Sequence, residues 1–371
     1  MGTDTDRDFE LLDKMTVPVK RAAYSDRTAW TMAIMAKLAY LPFDEESEQQ
    51  ILDLAAELAK LTDQKQIATR LTALQKVLAG LSPPPNAEED SNKVLKAALA
   101  AGDFELAGGR VLHDVATDTQ AFVACRRDPT GAGMAVICFR GTKQIKDWMT
   151  NLDITPVPVQ DPNGESIIGN MHQGFHTAYM SVHGEIGERL KGYEDLPLYI
   201  TGHSLGGALA VVATWYQSSA RLAACYTFGA PRVGDQGLID RFKTPIYRIV
   251  NGPDPVPFVP PSGAAISFAK SIVRIIGSIL PFAGVTEWLT DRLIKVQKFR
   301  HYGYMRYLTV VAAGPKGNYP NLRVEFALST LGRLGRFIQL HRSGQADRID
   351  KYHSIERYRD KLRAHARRRN E

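Results

Sequence analysis

Apolar positions are spaced in two different ways along this chain. In the first part they recur every third or fourth residue. Thr31 to Tyr40 is rich in Met, Ala, Leu and Ile, and Ile51, Leu54, Leu58, Leu61, Leu71, Leu74 and Leu78 carry the same spacing through Glu48 to Leu81. That period predicts helices that bury one face. Ser82-Pro83-Pro84-Pro85-Asn86 ends the second of them, because successive prolines remove the backbone donors a helix needs. A further helix is expected from about Asn92 to Ala100.

From about Gly108 short β-type runs alternate with helical ones. Ala121-Phe122-Val123-Ala124, Ala135 to Phe139, Leu198 to Thr201, Cys225 to Phe228 and Tyr247 to Val250 read as strands, while Gly174 to Leu190 and Gly206 to Ser219 read as helices. Such alternation predicts an α/β fold with a mostly parallel central sheet covered by helices on both faces. Two last β-type runs, Tyr304 to Val311 and Leu322 to Ala327, follow a long insertion. The expected organisation is an N-terminal helical subregion, 1–107, packed on a core of 108–371, with a hydrophobic insertion at about 261–298.

Composition narrows the class. With 44% hydrophobic and 23% charged residues, the chain can bury a sizeable core as an ordinary soluble protein. The net charge of +6 is concentrated in Arg357 to Arg369. That run reads either as a solvated helix or as a surface attracted to anionic lipid headgroups. No nucleic-acid-binding module accompanies it, so nucleic acid is not an expected partner. Three cysteines without tight spacing, Cys125, Cys138 and Cys225, argue against a disulfide framework or a cysteine metal site. Cys138, inside an apolar run, reads as a buried thiol. Met1 to Asp6 is polar and acidic with no apolar stretch behind it, which predicts no secretory signal. Asp6 also breaks the myristoylation pattern. No apolar run approaches the roughly 20 residues of a spanning helix. The expected location is cytoplasmic or peripheral to a membrane.

The most informative residues are Thr201-Gly202-His203-Ser204-Leu205-Gly206-Gly207. They join an apolar strand to a run of small helical residues, and Gly202 and Gly206 flank Ser204 in the G-x-S-x-G spacing. A strand that turns sharply into a helix leaves no room for a Cβ beside the apical serine. The turn lifts the hydroxyl out of the sheet and sets helix N-terminal amides beside it.

A serine hydroxyl needs a base, and the base needs an orienting acid. In an open parallel sheet these gather beyond the carboxyl ends of the strands. Asp254 follows the strand Tyr247 to Val250 in a proline-stiffened loop and is the candidate acid; Asp235 fits better as a helix-start residue. The chain order Ser, Asp, His leaves His301, His341, His353 and His365. His301 precedes a strand and His365 lies in the basic run, so His353 is favoured, with His341 and His301 as its rivals. Oxyanion donors are expected from the N–H of Leu205 and from Thr142, after the strand ending at Phe139. No metal or organic cofactor is required.

In order along the chain, Phe139-Arg140-Gly141-Thr142 with Asp147-Trp148, His172-Gln173-Gly174-Phe175, Gly202 to Gly207, and Thr227 to Asp235 resemble the class 3 lipases. Asp254-Pro255-Val256-Pro257, Phe299-His301-Gly303 and His353-Tyr358 extend the likeness to about residues 108–365, with Thr28 to Tyr40 a weaker echo. The resemblance implies an α/β-hydrolase fold and a Ser204–Asp254–His353 triad. It also implies hydrolysis of lipid carboxylic esters, acylglycerols first and phospholipids as the alternative. A catalytically dead membrane-binding scaffold is the rival of another class. Typical secreted members carry a signal peptide and disulfides, so this chain is expected to be an intracellular member or to leave by a non-classical route.

The family's lid position corresponds to the helical spacing of Ile145, Trp148, Met149 and Leu152. The alternative is that Trp148 packs the core under a fixed loop. In the insertion, Ile272, Ile275, Ile276, Phe282 and Trp288 mix with Lys270 and Arg274. That mixture suits a helix lying in a lipid interface or a buried helical pair over the site. Either arrangement favours long apolar acyl groups.

Overall fold

The computed structural model describes residues 22–41, 48–61, 66–79, 88–127, 133–142, 155–161, 164, 166–252, 254–260, 298–314, 318–326, 328, 332, 335–336 and 349–369. The expected lid residues Ile145, Trp148, Met149 and Leu152, nearly all of the 261–298 insertion, and His341 lie outside these.

The described strands are β1 (Glu105–Leu106), β2 (Leu112–Asp114), β3 (Thr119–Arg126), β4 (Met134–Phe139), β5 (Pro156–Gln160), β6 (Ile167–His172), β7 (Leu198–His203), β8 (Leu222–Phe228), β9 (Gly234–Asp235), β10 (Ile246–Asn251), β11 (Phe299–Arg300), β12 (Tyr304–Leu308) and β13 (Val324–Glu325). The described helices are α1 (Asp26–Leu38), α2 (Glu48–Lys60), α3 (Ile67–Ala79), α4 (Glu88–Ala100), α5 (Gln173–Arg189), α6 (Leu205–Tyr216), α7 (Gln236–Ile239), α8 (Ile349–His353) and α9 (Ile355–Arg368).

The main sheet runs β1-β3-β4-β7-β8-β10-β12-β13, with β2 paired to β3. From β4 to β12 every neighbouring pair is parallel. The pairs β3–β4 and β12–β13 at its flanks are antiparallel. This is the mostly parallel central sheet the sequence predicts. Its strands are apolar on both sides, as a sheet covered on both faces requires. In β3 and β4, Phe122, Ala124, Val136 and Cys138 join one core cluster, while Ala121, Val123, Ile137 and Phe139 join the other. The first cluster lies under α1, α2, α4 and α9, and the second under α5 and α6. Strands β11-β9-β6-β5 form a second, antiparallel sheet, which the sequence reading did not anticipate because its strands lack sustained apolar runs.

Several boundaries differ from expectation. The single helix predicted over 48–81 is two, α2 and α3, packed together. Leu61 and Leu71 are ten positions apart, about 80° short of three turns, so one straight helix could not aim both apolar stripes at one core. Helix α1 starts at Asp26 rather than near Thr31, because the Ser25 hydroxyl accepts the Thr28 N–H at 3.3 Å and caps it there. Among the described residues of the run 322–327, Val324–Glu325 pairs with β12. The three cysteines are buried free thiols. No helix among the described residues is long and apolar enough to cross a membrane.

The basic run 357–369 is built into the fold as helix α9. Glu57 of α2, 4% exposed, accepts Trp30 Nε1–H at 3.2 Å, pairs with Arg363 and lies 3.7 Å from Arg359. Lys37 of α1 pairs with Glu356 at 2.7 Å, and Arg369 with Asp26 at 2.8 Å. Arg368 donates to the carbonyls of Pro320 and Leu322. The N-terminal helices are thus clamped to the helix that follows His353.

Two outcomes follow from this clamp. Glu57→Ala leaves two guanidinium groups facing an emptied, nearly dry site and should cost about 3 kcal/mol in urea unfolding; a loss near zero would contradict the clamp. Burial alone would raise the Glu356 carboxyl, but Lys37 overcomes it and carries it from 4.5 down to about 2. A depressed folded-state value means the pair's contribution is complete above about pH 4.5 and fades as pH falls toward 2. Urea midpoints measured across that window should fall less steeply for Glu356→Gln than for the wild-type protein.

Candidate active site

Strand β7 ends at His203, Ser204 makes the turn, and α6 begins at Leu205. Ser204 holds φ 58° and ψ −126°, a left-handed conformation that costs an L-residue about 1–3 kcal/mol. Its surroundings enforce it. The Ser204 N–H donates to the Phe228 carbonyl at 2.9 Å, and the Ser204 carbonyl accepts from Gly207 N–H at 2.9 Å. A Cβ on Gly202 would collide with the Gly206 backbone, and one on Gly206 with the Phe139 carbonyl. The two glycines let the turn close and let the loop after β4 lie directly against it.

Asp254 follows β10 and is completely buried. Its Oδ1 accepts the Val256 N–H at 2.9 Å, its Oδ2 accepts the Tyr358 hydroxyl at 2.5 Å, and His353 Nδ1 lies 2.9 and 2.8 Å from the two oxygens. A carboxylate offers only acceptors, so Nδ1 carries the imidazole proton and Nε2 holds the lone pair. Burial, and then the Asp254 charge, push the Tyr358 phenol well up, which keeps it a donor. Ser204 Oγ and His353 Nε2 are both buried, and neither has a hydrogen-bond partner among the described residues.

His203 couples the turn to His353. Its ring centroid lies 4.6 Å from that of His353, and its Nε2 donates to the His353 carbonyl at 2.5 Å. That bond fixes the tautomer, so His203 Nδ1 accepts the Tyr40 hydroxyl at 2.9 Å. Burial, then the neighbouring His353, lower the His203 imidazole to about 3, so it stays neutral. Tyr40 also lies under the Arg140 guanidinium, 5.4 Å from ring to cation. The stretch after α1 therefore touches both the loop after β4 and the turn after β7.

Thr142 and Leu205 line one cavity of ≈ 320 Å³, together with Arg140, Gly141 and Leu209. Thr117 to Gln120 form its polar wall. The remaining sequence candidates sit elsewhere. His301 Nε2 donates to the Pro257 carbonyl at 2.7 Å, near the turn that carries Asp254 but not on Asp254 itself. Asp235 caps α7, accepting the Leu238 N–H at 3.2 Å. His365 lies 3.6 Å from Asp26. Sequence reasoning missed Tyr40, His203 and Asn251 as parts of this site and left Tyr358 without a role. The adjacency of His203 to Ser204, and of Asn251 to the acid loop, were the available signals.

Residues 136–264 match the family model described as Lipase (class 3). Among known proteins, the chain is similar to the Lipase of Rhizomucor miehei, 33% identical over 187 residues that make up 47% of this chain and 46% of that one. It is also similar to the chloroplastic Phospholipase A(1) DAD1 of Arabidopsis thaliana, 33% identical over 182 residues, 43% of this chain and 39% of that one. The chain thus spans less than half the length of these relatives. Among solved structures, the native Rhizomucor miehei lipase propeptide complex aligns at 25% identity and a TM-score of 0.43, covering 62% of this chain and 63% of that one. Residues 136–264 thus carry the similarity to the class 3 lipases.

Proposed function

We propose that this chain hydrolyses carboxylic esters of lipids, acylglycerols in the first place, through a Ser204–His353–Asp254 triad. The observation that carries the reading is the buried Asp254–His353 pair. It leaves a lone pair on His353 Nε2 at the rim where strained Ser204 presents its hydroxyl. In this reading Nε2 takes the Ser204 proton as Oγ attacks the ester carbonyl carbon. Asp254 stabilises the imidazolium that forms. The oxyanion receives the Leu205 N–H and the N–H and hydroxyl of Thr142, which border the same cavity. The carbonyl re-forms as the C–O bond breaks, and the alcohol leaves with the proton from His353. Water then repeats the sequence on the acyl-enzyme and frees the acid.

The relatives bear both lipase and phospholipase names, and Arg140, which lines the same cavity as Thr142 and Leu205, supports the phospholipid alternative with a cation. Hydrolysis of diacylglycerol and of anionic phospholipid vesicles, measured side by side, separates the two. A clear preference for the vesicles that disappears in Arg140→Gln would overturn the acylglycerol assignment.

A fluorophosphonate probe should label the wild-type protein at Ser204 and leave Ser204→Ala unmodified, with ester turnover falling by about 10⁴-fold or more. An unlabelled wild-type protein would favour the dead-scaffold alternative. Thr142→Ala should lower kcat by roughly 10²-fold with KM little changed, and Thr142→Ser should restore most of it, since one oxyanion donor is worth that much.

A further inference from the structure

Helix α9 buries a lysine beside the site. Lys361 is 0% exposed. Its Nζ donates to Asn251 Oδ1 and to the Thr309 carbonyl, each at 2.7 Å, and lies 5.9 Å from the Tyr319 ring. Among the described residues it has no carboxylate partner, and such an amine is an expensive core residue. Burial, with Arg357 one turn away, brings Lys361 down to about 7. Apolar packing alone would not select it.

Its contact residue is a hub. Asn251, also 0% exposed, ends β10. Its Nδ2 donates to the Tyr352 carbonyl at 2.7 Å, one residue before His353. Its backbone N–H donates to the Tyr358 hydroxyl at 3.0 Å, and its carbonyl accepts the Asp254 N–H at 3.1 Å. An amide side chain can face two ways, and the Lys361 donor at one end and the Tyr352 carbonyl acceptor at the other both require this one. With Oδ1 held on Lys361, Nδ2 must face Tyr352.

We propose that Lys361 is a positioning residue for the reaction: by orienting the Asn251 amide it holds the backbone immediately before His353, and so the angle at which the imidazole meets Ser204. The proposal rests on the hydrolase reading for its chemistry, but the geometry it fixes can be read without turnover.

Lys361→Met removes the donor, leaves the buried Oδ1 of Asn251 without that partner and so loosens the amide's hold on Tyr352. Asn251→Asp keeps an acceptor for Lys361, yet sets a carboxylate oxygen against the Tyr352 carbonyl. Each variant should lower kcat and the fluorophosphonate labelling rate roughly tenfold, the scale of a small misplacement of reacting groups, with KM little changed. The double variant should be no worse than the poorer single one. In both, the downfield proton resonance of the His353–Asp254 pair should shift or broaden. If Lys361→Met does not fold, Asn251→Asp decides, because it leaves the lysine paired. Folded variants with wild-type kcat and an unmoved resonance overturn the proposal. A wild-type protein that shows the resonance but takes no probe at Ser204 defeats the hydrolase reading instead, and the resonance in Asn251→Asp still decides the role of Lys361.

Discussion

The carboxylate of Asp254 is the point on which this architecture turns. It is fully buried, and a buried charge persists only when its lone pairs are engaged. The groups that engage it come from distant parts of the chain: His353, 99 residues away, and Tyr358, 104 residues away. Satisfying the charge therefore pulls α8 and α9 onto the end of β10. The same contacts that remove an unpaired charge from the core deliver an imidazole, with a defined tautomer, to the rim of the sheet.

The opposite side of that rim is held by strain. Ser204 keeps a left-handed backbone because Phe228 and Gly207 bond its N–H and carbonyl, and because glycines let β7, α6 and the loop after β4 approach without side chains between them. His203 then bridges the two sides. It donates to the His353 backbone and accepts from Tyr40. The N-terminal helices are consequently more than a cover over one face. They share a core with β3, β4, β8 and β10, and through Tyr40, Glu57 and Lys37 they touch the serine turn and the helix beyond the histidine.

The basic run shows how charge counting can mislead. Its arginines read in sequence as a solvated or lipid-facing surface. In the fold Arg363 and Arg359 face Glu57, Arg369 faces Asp26, and Arg368 reaches backbone carbonyls. A helix of high charge density became a strut because its carboxylate partners lie some 300 residues earlier, on helices that its spacing could not reveal.

What the sequence determined by itself is local. Short continuous apolar runs marked the parallel strands, which are buried on both faces, and spacing of three and four residues marked the N-terminal helices, which bury one. The G-x-S-x-G turn was legible because its steric demand falls on adjacent residues, and Asp254 because it follows a strand directly. His353 could be ranked but not assigned from residue patterns, for its place depends on how α8 docks rather than on its neighbours. Tyr358, Asn251, Lys361 and Tyr40 acquire their contacts only through tertiary structure. Each acts across a sequence gap with no periodic signature, and what selects it is the need to satisfy polar groups that burial has cut off from water.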